Sequence, residues 1–418
     1  VHGQLSTKMA TKRNLVDLPP ELHQDLLECF RSYLDLKSLC LTCKTLQRLA
    51  TPKLYRCVIL QVSDINETIH RSLNQANPGL AHTRLLRVEE WHENFNFESQ
   101  GESLCRLIYA FPMDSLENLD VASLGNVPLQ VTVLIHFKQR RLQNLLLHHQ
   151  SRGRSVAPLL CADDFQNVSS LTLVVSSQGN VQRGHQLLKR ISHIEDLAIY
   201  VHFPTEWRSQ VDATASVDIL STIFESWLDS TVEKPKLRLN KLILSGFSCQ
   251  HIAEILTSIL IPEQLEHLSL QHCEDNHMAL SSLSRAKLKL KSFDGRACHL
   301  SLGASEFPFE TFLESFQGLQ RLKVSIEHHI TPHMDFPWKA LRGHAKALRL
   351  LDIDDTGEND DPYANPSNNV TWSAYHELCS KCEALEQLVI QTSPPVDGPG
   401  FFPSVYSPLL NCLSCYHA

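Results

Sequence analysis

A spaced pattern, Leu-x-x-Leu-x-Leu, recurs along most of this chain and leaves little freedom in what the chain can fold into. Its first clear copy is Leu116/Leu119/Val121. It returns at Leu142/Leu145/Leu147, Val168/Leu171/Leu173 and Ile194/Leu197/Ile199, each 26 residues after the last. Further copies stand at Leu239/Leu242/Leu244, Leu265/Leu268/Leu270, Leu319/Leu322/Val324, Leu348/Leu351/Ile353 and Leu385/Leu388/Ile390, with a degenerate one at Leu290/Phe293. A worn copy at Leu86/Val88 and a strand-like run, Tyr55–Val62, precede them. In extended chain, successive side chains face opposite ways, so the fourth and sixth positions of every copy point to one side. A unit this short cannot bury its own apolar side, and equal spacing lets each unit bury it against the next.

Between the strands, Leu129–Gln139, Val181–Ile191, Val217–Leu228, His251–Leu260, Phe309–Phe316 and Trp372–Leu378 have the apolar spacing of amphipathic helices. Alternating strands and helices predict an α/β solenoid with a curved parallel sheet inside and helices outside. Over roughly residues 80–392 the pattern resembles the leucine-rich repeat family. Outward strand positions then line a concave surface: Asp120, His148, Tyr200, Lys241, His267, Gln271, Asp294, Arg296, Arg321, Lys323, Asp352 and Asp354. Repeat proteins bind partners on such surfaces, which makes Tyr200, Lys241, His267, Gln271, Arg296, Arg321, Lys323 and Asp352 the candidate contacts to a target protein. Two steps are longer, 45 residues from Ile194 to Leu239 and 37 from Leu348 to Leu385. The extra residues, His202–Ser216 with Phe203 and Trp207, and the acidic Asp354–Asn369, are expected on one rim, flanking the ligand surface.

Composition narrows the function. The 418 residues carry 38 Lys/Arg against 46 Asp/Glu, a net charge of −8. Residues 1–62 hold nine Lys/Arg and five Asp/Glu, so the remainder is acidic. An acidic body argues against nucleic acid as the ligand, because phosphate contacts need clustered cations. No apolar run is long enough for a membrane span, and the polar stretch Val1 to Asn14 lacks the apolar core of a secretory signal. It reads as a flexible tail in which Met9 is a possible internal start. The 13 cysteines, mostly within apolar segments, then read as reduced buried thiols of a cytoplasmic or nuclear protein. The division expected is a tail (1–14), a helical module with the first strand (15–62), the solenoid (63–395) and a C-terminal cap or tail (396–418).

The helical module has its own pattern. Leu18-Pro19-Pro20-Glu21-Leu22 opens a helix, since proline suits a first turn and an acidic residue suits the positive end of the helix dipole. Leu22, Leu26, Leu27 and Phe30 continue it; Leu34-Asp35-Leu36 starts a second helix through Leu39 and Leu41. Cys43, Leu46 and Leu49 mark a third, which Pro52 is expected to stop. Three helices this short bury little surface and need a partner. Together with Asp35-Leu36-Lys37-Ser38-Leu39-Cys40-Leu41-Thr42-Cys43-Lys44 and Ala50-Thr51-Pro52-Lys53-Leu54-Tyr55-Arg56, this stretch resembles an F-box of the kind common in filamentous fungi. Phe30–Leu34 is one residue longer than usual, and His23-Gln24 stands where the family has apolar residues. The resemblance implies docking on a Skp-family linker, and through it on a cullin, by Leu18, Pro19, Leu22, Leu26, Leu27, Leu36, Leu39 and Leu46. Such a protein is the substrate-recognition adaptor of a cullin–RING ubiquitin ligase and not itself an enzyme.

The sequence has no phosphate loop, dinucleotide glycine pattern or nucleophile elbow. Zinc needs about four converging ligands. Of the Cys-x-x-Cys pairs Cys40/Cys43, Cys379/Cys382 and Cys412/Cys415, the last two could supply them, but Cys379 and Cys382 have helical spacing and suit a repeat core better. His328, His329 and His333 read as loop, and the run Asp354–Asp361 lacks the closing glutamate of a calcium loop. No catalytic, cofactor or metal residue is therefore expected. The alternatives are a repeat scaffold acting outside a ligase and, on the same fold, a GTPase activator presenting Arg208 or Arg152, which would leave the helical module without a purpose.

Overall fold

A computed structural model describes residues 18–30, 32–61, 73, 77–89, 97–121, 134–135, 138–149, 167–175, 178–191, 193–201, 213–228, 236–249, 252–273, 276–298, 308–326, 338–355 and 380–392. The chain forms two compact units, residues 1–123 with 128–142, and residues 143–418 with 124–127.

The first unit begins with α1 (Pro20–Cys29), α2 (Tyr33–Thr42) and α3 (Lys44–Tyr55). Pro20 opens α1, while the Ser32 hydroxyl caps α2 by accepting from the Leu34 N–H at 3.2 Å. Cys43 does the same for α3, its sulfur accepting from the Leu46 N–H at 3.5 Å. Contrary to the sequence expectation, α3 does not stop at Pro52 but runs through it to Tyr55. The proline only removes one N–H from the ladder, and the next residues are held by tertiary bonds. The Lys53 ammonium donates to the Leu27 carbonyl of α1, and the Tyr55 hydroxyl accepts from Asn77 Nδ2 at 3.1 Å. Gly79 lies flat on the Tyr55 ring, where an added Cβ would meet ring carbons at 2.6 Å. The helices are therefore seated on the turn between β1 (Cys57–Gln61) and β2 (Leu85–Glu89). α4 (Phe97–Ala110) and β3 (Asn118–Val121) follow, with β1, β2 and β3 parallel in chain order.

The second unit stacks nine parallel strands in chain order: β4 (Asn144–His149), β5 (Ser170–Val175), β6 (Asp196–Val201), β7 (Lys241–Ser245), β8 (His267–Gln271), β9 (Ser292–Cys298), β10 (Arg321–Ile326), β11 (Leu350–Asp355) and β12 (Gln387–Thr392). Among the described connections run α5 (Gln178–Arg190), α6 (Ala213–Ile223), α7 (Glu225–Leu228), α8 (Ile252–Ile259), α9 (Asn276–Leu283), α10 (Pro308–Glu314) and α11 (Trp338–Leu341). The fold class is thus α/β with an open, all-parallel sheet built from repeats. The expected helices at Val181–Ile191, Val217–Leu228, His251–Leu260 and Phe309–Phe316 form, the second as α6 and α7. Phe97–Ala110, Asn276–Leu283 and Trp338–Leu341 are helices that the apolar spacing did not announce. Trp372–Leu378 and most of Leu129–Gln139 lie outside the described residues.

The core positions read from the repeat are the buried ones. Leu171, Leu197, Leu242, Leu268, Phe293, Leu322, Leu351 and Leu388 stand side by side in the strand register, and all are buried. A backbone device repeats with them: the carbonyl of Gln143 accepts two successive N–H groups, from Ser169 and Ser170. Those of Ser169, Glu195, Asn240, Glu266, Lys291, Gln320 and Arg349 do the same for the next repeat, all at 2.7–3.1 Å. Both lone pairs of each oxygen are used, which ties every strand start to its neighbour. The 45-residue step leaves this register intact, since Glu195 O still accepts from Asn240 and Lys241.

Irregular copies are compensated locally. The degenerate copy places Gly295 between Leu270 and Val324, and the missing volume is offset by aromatic packing. Phe293 stacks on Phe309 and Phe312, at 6.1 and 5.1 Å between ring centroids, and Phe312 on Phe316. Two side chains before strand starts close the preceding turn in the same way. Gln139 accepts from the Leu116 N–H through Oε1 and donates to Pro112 O through Nε2, both at 2.9 Å. His344 accepts from the Leu319 N–H at Nδ1 (3.2 Å) and donates to Leu313 O from Nε2 (2.9 Å).

Candidate functional site

Two surfaces carry the residues singled out from sequence. The first is the three-helix module. Leu36 and Leu46 are buried in its small core with Ala50, so these two hold the helices together. Leu18, Leu26, Leu27 and Leu39 are half-buried, and Pro19 is exposed. Leu22 is 48% exposed, and it is joined by three residues that the sequence reading did not assign to docking: Tyr33 (62%), Leu34 (68%) and Leu41 (80%). Leu34 and Leu41 are seven apart on α2, two turns along one face, while Leu36 points to the other. A signal for this was present, because α2 carries leucines on both faces and only one can pack on α3.

The second surface is the outward face of the second unit's sheet. Its rows follow from the register: Asp196, Lys241, His267, Ser292 and Arg321 at the strand starts, then Thr172, Ala198, Ile243, Ser269, Asp294, Lys323 and Asp352 two residues on. Tyr200, Ser245, Gln271 and Arg296 make the third row. All eight residues proposed to contact a target stand in these rows. The side chains of Arg296, His148 and Asp354 lie outside what is described. Asp120, the other outward residue, belongs to the first unit, where Arg87 Nε donates to its Oδ2 at 2.6 Å.

Contacts along the face set its electrostatics. Lys323 pairs with Asp352 at 3.3 Å, which neutralises both. Gln271 Nε2 donates to Asp294 Oδ2 at 3.4 Å. Tyr200 starts on β6 and Asp294 on β9, about 14 Å apart at the usual strand spacing. Burial, and then the Asp294 charge, nonetheless push the Tyr200 phenol pKa up. The phenol therefore stays protonated, a donor. Burial holds His267 below the ordinary imidazole value, with Lys241 and Lys291 lowering it and Glu266 and Asp196 opposing. At neutral pH its ring is uncharged. Lys291 is itself tied to Glu266 at 2.6 Å.

The face divides in a way the choice of residues did not anticipate. On β4 to β7 the outward positions include the apolar Leu146, Val174, Ala198 and Ile243 among polar neighbours, with Val174 and Ala198 buried. From β8 to β11 they are Ser269, Gln271, Asp294, Lys323 and Asp352. The signal was the loss of alternation in Leu145-Leu146-Leu147, Leu173-Val174-Val175 and Leu242-Ile243-Leu244, since a strand apolar on both faces reads as an unbroken apolar run.

Among the described residues no cluster of three or more His, Cys, Asp or Glu side chains could hold a metal ion, and no helix is long and apolar enough to cross a membrane. Cys43 serves as the α3 cap, and Cys382 is buried. Cys379, Cys412, Cys415, His328, His329, His333, Arg152 and Arg208 lie outside the described residues, as do the bulk of both insertions with Phe203 and Trp207. No protein-family model matches the chain, and comparison with curated proteins finds no match.

Proposed function

We propose that this protein is a substrate-recognition adaptor of a cullin–RING ubiquitin ligase, its helical module an F-box and its repeats a curved leucine-rich-repeat solenoid. The observation that carries the reading is a helical module too small to cover its own leucines: Leu22, Tyr33, Leu34 and Leu41 are exposed while Leu36 and Leu46 close its core. Covering such residues removes apolar area from water at about 25 cal/mol per Å², a sufficient drive for association when several act together. The partner on that side is a Skp-family linker carrying a cullin; the outward sheet face, through Tyr200, Gln271, Lys323 and their neighbours, takes the target protein. The adaptor performs no bond chemistry. Its contribution is effective concentration, holding a target lysine near a loaded conjugating enzyme.

The test is co-purification of the full chain with a Skp-family linker, wild type against Pro19→Ser combined with Leu22→Ala. Both side chains are exposed, and serine is a good helix cap, so the helices should stay folded. Recovery of the linker should drop at least tenfold. Undiminished recovery by the double variant would overturn the ligase reading.

A further inference from the structure

The strand array of the second unit reaches, at β12, an edge that its own construction leaves open. Each strand start is tied to the one before by a carbonyl that accepts two N–H groups, and this series runs from Gln143 to Arg349. Glu386 holds the next place in it, directly before β12, yet among the described residues its carbonyl accepts no N–H. On the side away from β11, no described strand pairs with β12. The leucine that opens each copy shows the same lack. Leu265, Leu290, Leu319 and Leu348, each followed by another repeat, are buried, whereas Leu385 is only half-buried. An open strand edge presents a row of N–H and C=O groups and readily takes another strand.

We propose that this edge is a docking surface for the chain's own residues 412–417, which pair with β12 as a further parallel strand. The sequence carries the copy required. Leu410/Leu413/Cys415 repeats the Leu-x-x-Leu-x-Leu pattern, with cysteine, which packs as a small apolar side chain, in the sixth place. It begins 25 residues after Leu385, the step that also separates Leu265 from Leu290. The connection has a suitable length: 19 residues lie between Thr392 and Cys412, against 20 between Gln271 and Ser292, where β8 hands over to β9. No proline occurs from Leu409 to His417, so every N–H that a ladder needs is present. Continuing the register of β11 on β12 sets Gln387 beside Cys412, Leu388 beside Leu413 and Ile390 beside Cys415. The Asn411 and Cys412 N–H groups then donate to the Glu386 carbonyl, and Leu410 covers Leu385. Leu413 and Cys415 continue the core rows, while Cys412, Ser414 and Tyr416 add one residue to each outward row. The candidate target surface is thereby one repeat longer and ends on a phenol, whether or not the ligase reading holds. Residues three apart on a strand face opposite ways, so Cys412 and Cys415 do not form a metal-binding pair.

The test uses the full chain. Gln387→Cys, at an exposed position, puts a thiol beside native Cys412, at about the 4.8 Å strand spacing that a disulfide accepts. Gln391→Cys puts one four residues further along β12, about 13 Å away. Mild oxidation with copper phenanthroline, followed by peptide mapping, should join Cys412 to position 387 at least tenfold more than to position 391. In the wild-type chain, hydrogen–deuterium exchange read by mass spectrometry should find the amides of residues 410–416 slowed at least tenfold relative to the same peptide in isolation. Three results would overturn the proposal. One is exchange as fast as in the isolated peptide. Another is joining at position 387 that is absent or no greater than at position 391. The third is a joined product of twice the chain's mass, which would assign the edge to a second copy.

Discussion

The three-helix module and the repeats of the second unit solve the same problem with different means. Each repeat places two or three aliphatic side chains in a row where the neighbours on either side complete their burial, so Leu242, Leu268 and Leu322 are all shut away from water. The module has few buried apolar side chains among its described residues, Leu36, Leu46 and Ala50. It relies on three tethers at its edge: Lys53 to Leu27 O, Asn77 to Tyr55, and Gly79 against the Tyr55 ring. Stacking is open-ended and adds core with every unit, whereas a closed three-helix unit runs out of interior. The comparison teaches where to look for each property, stability in the rows and association on the helices.

The contrast can be broken most forcefully at its strongest point. Phe293→Ala removes the ring that packs with Phe309 and Phe312 in a repeat already lightened by Gly295, and should cost about 3–5 kcal/mol. A denaturant titration followed by far-UV circular dichroism would check it. A change under 1 kcal/mol would mean that the rows tolerate cavities and are not the source of stability.

A middle-sized effect is expected at His344, whose ring closes a turn only when neutral, because Nδ1 must accept the Leu319 N–H. Burial holds its pKa below the ordinary 6.5, with the Leu313 carbonyl opposing. The folded state therefore binds this proton less readily than the unfolded chain, and stability is full above the unfolded value and falls as pH drops below it. Thermal midpoints between pH 7.5 and 5 should decline. His344→Gln, which copies the Gln139 arrangement, should flatten this part of the decline, and His344→Leu should cost about 1–3 kcal/mol at pH 7.5 by orphaning two backbone groups. An undiminished slope in the glutamine variant would remove His344 as its cause.

The smallest effect on stability sharpens the other side. Leu34→Ser with Leu41→Ser changes two exposed positions and should move the unfolding free energy by about 0.5 kcal/mol or less. The same variant should lose linker capture about as fully as the Pro19/Leu22 variant does. If instead it unfolds the helices, judged by protease sensitivity near residue 31, these leucines belong to the module's fold and not to its docking face.

Much of the fold was legible because a strand needs only alternation and an array needs only period. Leu171, Leu197 and Leu242 could be placed in one row before any coordinates, even across the 45-residue step. The candidate site was less legible. Choosing Tyr200, Gln271 and Lys323 required only knowing which positions point outward, but their chemistry depends on neighbours one repeat or more away. That the Asp294 charge bears on Tyr200 and that Lys323 is spent on Asp352 are relations between strands, which no local window contains. In the module the leucine pattern named a set of apolar residues without dividing them, and packing of α2 on α3 made Leu36 and Leu46 interior and left Leu34 and Leu41 outside.

By itself, the sequence determined a parallel, repeating α/β array, its core rows and a helical head with more leucines than it could bury. Side-chain periodicity and the spacing of apolar residues are properties of the chain alone. Only the tertiary structure decided that α3 runs through Pro52, that Gly79 seats the helices on the first turn, and that His344 closes the turn before Leu319. Each of these depends on a contact between residues distant in sequence, where burial and hydrogen bonding outweigh the local preference.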